Sequence, residues 1–346
     1  MAGDDRTSAA IQRSLRSFPA RLSYQPGPQM PPHVADVAGT ADIHAHAHEG
    51  QQDALAVARL ASVSGMAGLL FKTIVGRPGP AEAVAELTAA LAAWCAKEGV
   101  RPVACRAGGI LDTMGASTPF EAAALLDSGV TAIWLPVITH ANTLATVGGL
   151  KSWWDADARA GEWLGPLPWP QALERGAYLL DGGGRLKPEV IDIVAMVADR
   201  GAALFFGHAT HAEIFALADE VGRIGFRRAV IDHPFSPFVD LDTGQMKQLA
   251  AAGITLNFTY DELSPSLGID PARMYDAIRE IGPARCALSS DAGDALFPNS
   301  VECMRLICAH MAAYGLSERE LRLVSVINPA AVMGLAEPLA QASAAE

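Results

Sequence analysis

No CxxC pair, no GxGxxG fingerprint and no run of 18 or more uncharged apolar residues occurs in this sequence. The first absence, with five cysteines in odd number (Cys95, Cys105, Cys286, Cys303 and Cys308), argues against a disulfide framework and suits a reducing cytoplasm. The second removes the phosphate cradle of a dinucleotide-binding sheet. The third leaves no transmembrane helix, and the N-terminal "MAGDDRTSAAIQRSLRSFPARL" lacks an apolar segment ahead of a cleavage site, so a soluble, unexported, cytoplasmic chain is expected. Positive charge is also scarce. A formal net charge of -12 opposes binding to nucleic acid or an anionic membrane and favours a small-molecule substrate.

What is present is a large core: half of the 346 residues are hydrophobic and only 18% are charged. From Asp42 onward a rhythm repeats, in which a short apolar run is followed by a turn and an alanine-rich helical pattern. The runs are 42–46, 68–74, 102–109, 131–138, 202–209, 228–234, 254–259 and 286–293. Several helical segments, such as "DALAVARLASVSG" and "PFEAAALLDSG", end in glycine as helix C-termini prefer. Eight such units over this length predict an α/β fold of the (β/α)8 TIM barrel type in preference to an open doubly wound sheet.

Two segments stand outside the rhythm. Residues 1–40 contain the proline-rich "YQPGPQMPPH" and are expected to form an N-terminal arm or tail ahead of a barrel at 41–340. Residues 140–187 follow strand four, are too long for a simple crossover and lie in the region that carries most of the tryptophans. They are expected to be a lid, a substrate wall or a subunit interface.

In "ADIHAHAH", period two would place Asp42, His44 and His46 on one face of the first strand. Further polar residues sit where strands end: Lys72 after strand two, His140 after four, His208 after five, His233 after six and Asp291 after eight. In a barrel these ends converge on one pocket. One histidine at a strand edge is commonly a satisfied core residue. So many buried titratable groups together need partners, and a divalent cation supplies one.

"DIHAH", "GHA", "DHP" and "SSDAG" on strands one, five, six and eight, with "INPAAVMGL" near the C-terminus, resemble the amidohydrolase superfamily of metal-dependent barrels. The resemblance spans Asp42 to Leu335 and implies metal ligation by His44, His46, His208 and Asp291. It implies that His233 is either a ligand to a second ion or a general acid/base and orienting group. Neutral imidazoles with a carboxylate suit Zn2+, with Mn or Fe as other options, and Asp291 can carry a proton from attacking water to the leaving group. Superfamily members with two ions commonly bridge them with a lysine or glutamate from strand three or four. "PVACRAGG" and "TAIWLPVITH" offer neither, so one ion is favoured over two.

Lys72 reads as a catalytic or substrate-binding cation for a carboxylate or oxyanion, against the plainer reading of a lysine snorkelling to solvent. Arg106 is read as a substrate-anion contact or a structural ion pair, and His140 as a pocket residue or a loop histidine. Asp42 is expected to support the ligands by hydrogen bonding. The leading function is hydrolysis of a C–N bond in a small amide or cyclic amide. The alternatives are metal-dependent decarboxylation of a small carboxylic acid and a catalytically silent barrel. Alanine-rich outer helices suggest a homo-oligomer.

Overall fold

Eight parallel strands wind round one axis in sequence order, alternating with helices. They are β1 (Ala41–Ala47), β2 (Gly68–Ile74), β3 (Ala104–Ile110), β4 (Ala132–Trp134), β5 (Ala203–Phe205), β6 (Ala229–Asp232), β7 (Thr255–Thr259) and β8 (Cys286–Ser289). The structure is a computed structural model that describes residues 36–47, 52–74, 79–112, 118–151, 162–293 and 297–335. His33, His48, Asp294 and the first 35 residues lie outside the described residues.

The chain forms the barrel foreseen from its rhythm, with strands β4, β5 and β8 shorter than their apolar runs. After Trp134 comes Leu135-Pro136, and proline has no N–H to give to the ladder. Ring closure is made just past the regular strands. The Asp291 N–H donates to the His44 carbonyl and the His46 N–H to the Ala292 carbonyl, both at 2.8 Å. The seam that joins the last strand to the first therefore runs through the residues expected to bind metal.

Local chemistry sets the helix ends. Thr118 and Thr210 close capping boxes with Glu121 and Glu213, satisfying orphan N–H groups at the starts of Pro119–Ser128 and His211–Ile224. Gly129 and Gly225 end the same helices in the left-handed conformation. Near the C-terminus the "INPAAV" segment starts helix Asn328–Met333, and the Asn328 amide donates to the carbonyls of Pro283 and Cys286. That pins the helix beneath β8.

Side-chain parity then divides the packing. Leu69 and Phe71 of β2 join the layer between strands and helices, whereas Leu70 joins an interior cluster with Ala41, Ile43, Trp134, Phe205, Val230 and Ala287. Val332 and Met333 close that cluster from below. All five cysteines are free and buried, and burial pushes the Cys105 thiol up to about 12. Among the described residues no helix is long and apolar enough to cross a membrane.

Between β4 and β5 the described parts of residues 140–187 form helix Ala141–Thr146, a short antiparallel ladder of Gly149–Leu150 with Trp163–Leu164, and helix Trp169–Arg175. A turn at Asp181–Arg185 then leads into helix Pro188–Asp199.

Candidate metal centre

The first strand does not keep simple alternation. Its register against β2 slips between Asp42 and Ala45, and Ile43 belongs to the interior cluster while Ala45 belongs to the outer layer. Asp42 is thereby turned to the seam. Its carboxylate accepts from the backbone N–H groups of His44 and Ser290 at 3.1 Å and from the Ser290 hydroxyl at 2.5 Å. Burial raises Asp42 to about 6 despite those donors. It braces the backbone that presents the histidines.

Across the seam, Asp291 Oδ1 stands 3.1 Å from His44 Nε2 and 3.1 Å from His46 Nε2. The candidate ligand atoms of these three residues lie within 4.8 Å of one another. Gly293 makes the approach feasible, since a Cβ there would lie 2.3 Å from the His46 Cβ. Asp291 sits at φ 51 and His233 at φ 35, a left-handed strain of about 1–3 kcal/mol each that the surrounding structure must hold. Burial opposes ionisation of Asp291, but His44, His46 and His233 together keep it well below the usual carboxylate range.

His44 is also flanked by Asp232, whose Oδ1 is 3.2 Å from its Nδ1. Trp134 Nε1 donates to Asp232 Oδ2 at 2.8 Å, and Asn257 Nδ2 donates to Oδ1 at 2.7 Å. Burial pushes Asp232 up, yet His44, His233 and Lys72 bring it down to about 2. A carboxylate behind a ligating imidazole fixes its orientation and raises its basicity. Sequence reading passed over Asp232, although it ends the apolar run directly before His233.

His208 Nδ1 lies 3.0 Å from the Thr143 hydroxyl, which itself donates to the Val137 carbonyl at 2.7 Å. That hydroxyl can then only accept from His208, so Nδ1 carries the proton and Nε2 keeps its lone pair. The ring stacks on Phe238, with centroids 4.4 Å apart, and meets His233 edge-on at 5.0 Å. His233 Nδ1 is 3.0 Å from the Ser236 hydroxyl, and its ring lies 5.9 Å from that of His44. Burial lowers His46 and His233 to about 4, and His208 well below its ordinary value. At neutral pH these imidazoles are uncharged and able to ligate.

Lys72 reaches this group from β2. It is 4% exposed, and its Nζ lies 5.9 Å from the Trp134 ring centroid. Trp134 stacks on Phe205 at 4.0 Å and forms the floor under the cluster, a position that requires Gly108 because a Cβ there would lie 2.2 Å from the indole.

Two expected substrate contacts are placed elsewhere. Arg106 is in register with Leu70, near the beginning of β3, and donates to the Cys105 carbonyl at 3.3 Å. Gly108 follows it on the same face, so Arg106 lies a layer below Trp134, because the strand extends further past it than the apolar run suggested. His140 has both ring nitrogens engaged, Nδ1 accepting from the Asn142 N–H and Nε2 beside Glu213 Oε1 at 3.2 Å. It caps the helix that carries Asn142 and Thr143 instead of facing a substrate. Glu213, in the first turn of its helix, is a buried hub that also accepts from the Leu179 N–H and the Thr210 hydroxyl.

The segment after β4 thus supplies part of the site's support. Asn142 Nδ2 donates to the carbonyls of His208 and Phe238. Asp112, at the end of β3, accepts from the N–H groups of Val137, Ile138 and Thr139. These links join distant segments and leave no local signature in the sequence.

The fold is shared with several solved structures. Dihydroorotase of Saccharomyces cerevisiae superposes with a TM-score of 0.53 at 10% identity, over 87% of this chain and 85% of that one. An amidohydrolase of Pseudomonas aeruginosa gives 0.53 at 11%, over 88% and 100%. A protein of Agrobacterium tumefaciens gives 0.51 at 14%, over 90% and 100%. At such identities the likeness is one of fold. No curated protein sequence matches the chain. The model of a family of unknown function, DUF6282, matches residues 39–257, and the chain belongs to that family.

Proposed function

We propose that this protein is a metal-dependent hydrolase that cleaves the C–N bond of an amide or cyclic amide in a small molecule. The supporting observation is one carboxylate oxygen, Asp291 Oδ1, standing 3.1 Å from the Nε2 atoms of both His44 and His46. The residues fit an ion. Both ring nitrogens of His44 are buried and lack a hydrogen-bond partner, although carboxylate oxygens stand at 3.1 and 3.2 Å, and a cation satisfies such an arrangement. Two imidazoles and a carboxylate, with His208 Nε2 as a further donor, suit a borderline ion such as Zn2+. On β4 the interior position is Trp134, an indole that cannot bridge two ions, which favours a single one.

Such an ion, when bound, polarises a carbonyl and acidifies water. The chain's own residues do the rest. Asp291 accepts the proton of the attacking water and returns it to the leaving nitrogen. His233, held by Ser236, orients the substrate from β6, and Asp232 keeps the His44 ring in place. The net charge of -12 supports a free small molecule as substrate over a nucleic acid or membrane.

A second reading keeps the site and changes the reaction. Decarboxylation of a small carboxylic acid is favoured by Lys72, an ammonium beside the cluster. The test combines metal analysis after reconstitution with Zn2+, Mn2+ or Fe2+ and product analysis on amide and carboxylate panels. Release of amine or ammonia with one ion per chain supports hydrolysis. CO2 release without amine overturns it in favour of decarboxylation, and failure to retain any ion overturns both.

A further inference from the structure

We infer that the substrate is an anion whose carboxylate is received by Lys72, at a subsite between the metal ligands and the β2 side of the barrel. The inference rests on the metal-site reading and adds the chemical class of the substrate. Lys72 lies on the interior parity of β2, two residues beyond Leu70. It is buried, and among the described residues its ammonium has neither an ion pair nor a hydrogen bond. A buried ammonium without a counter-charge is costly to keep unless a ligand supplies one. Asp232 attracts it from a distance, but its oxygens accept from Trp134 and Asn257, Trp134 presents only a ring face 5.9 Å away, and no carboxylate among the described residues contacts the ammonium.

A neutral amide would leave Lys72 unpaired, whereas an amide that also carries a carboxylate pairs it and places its carbonyl toward His44, His46 and Asp291.

The experiment is calorimetric titration of zinc-reconstituted protein with benzoate and succinate, each against its neutral amide, in wild type, Lys72→Met and Lys72→Arg. Metal content is measured on the same samples. Expected are wild-type binding of the carboxylates at least ~10-fold tighter than the amides, weakening with added salt, loss of that preference in Lys72→Met and its partial retention in Lys72→Arg. Metal content should be equal in all three. Should Lys72→Met fail to fold, the carboxylate-over-amide preference of the wild type and its salt dependence decide the matter. Full metal content with equal binding of acid and amide, or an unchanged preference in Lys72→Met, overturns this inference alone. A protein that takes up no ion overturns the metal reading and this inference with it.

Discussion

The two ends of the barrel interior are opposites. Toward the amino ends of the strands Ala41, Ile43, Leu70, Ala203 and Val230 pack with Val332 and Met333 into an apolar plug. At the carboxyl ends His44, His46, Lys72, His208, His233 and Asp291 crowd one pocket, with Trp134 as the dividing layer. The plug releases apolar surface from water and stabilises the ring. The rim does the reverse, since each buried polar group there costs desolvation until a partner satisfies it. The lesson is that one end carries the stability that lets the other hold strained residues such as His233 and Asp291 and an unsatisfied one such as His44.

The sharpest way to break this division is at the rim. Asp291→Asn keeps the shape but removes both the charge facing two imidazoles and the proposed proton acceptor. Turnover should fall by ~10²–10⁴-fold, with loss of retained metal, while the melting temperature of the metal-free protein changes little. Full activity in that variant would dismiss the assignment. At the dividing layer, Trp134→Ala opens a cavity over Phe205 and leaves Asp232 short of a donor. A loss of ~3–5 kcal/mol in denaturant-derived stability is expected, accompanied by weaker metal binding.

Behind the rim, Asp232→Asn should leave the fold intact and weaken metal affinity by ~10–100-fold, read by competition with a chelator. An unchanged affinity would show that the His44 ring needs no support. The smallest effect concerns Glu262, a buried carboxyl that accepts from the Phe235 and Thr259 N–H groups and that burial raises from 4.5 to about 8. Its folded value lies above its unfolded one, so the stability it contributes is present below pH 4.5 and is lost as pH rises through about 8. Urea midpoints of the metal-free protein should decline across that window, and Glu262→Gln should flatten the decline while costing some stability at pH 5. A slope identical in both proteins would remove Glu262 as its source.

Much of this molecule was legible before any coordinates. Alternating apolar runs and glycine-ended helical patterns state the eight-fold rhythm because strand and helix periodicities are local properties of the chain. His44, His46, His208, His233, Lys72 and Asp291 could be singled out because each interrupts or ends an apolar run. Arg106 and His140 share that feature and do not share the pocket. Arg106 begins its strand too early and lies under the indole, and the His140 ring is spent on a cap and on Glu213.

Chain order therefore determined which residue types stand at strand ends, and with them the barrel and the shortlist of ligands. Only the tertiary structure decided which of those residues meet. The ring closes by backbone bonds between β1 and the turn after β8, almost the whole length of the barrel domain apart, and the same bonds set His44 and His46 against Asp291. The slip in β1, the seam carboxylate Asp42 and the supports Asp232, Asn142 and Thr143 depend on such long-range register. No periodicity within a single segment encodes it, because register is chosen by the packing of all eight strands at once.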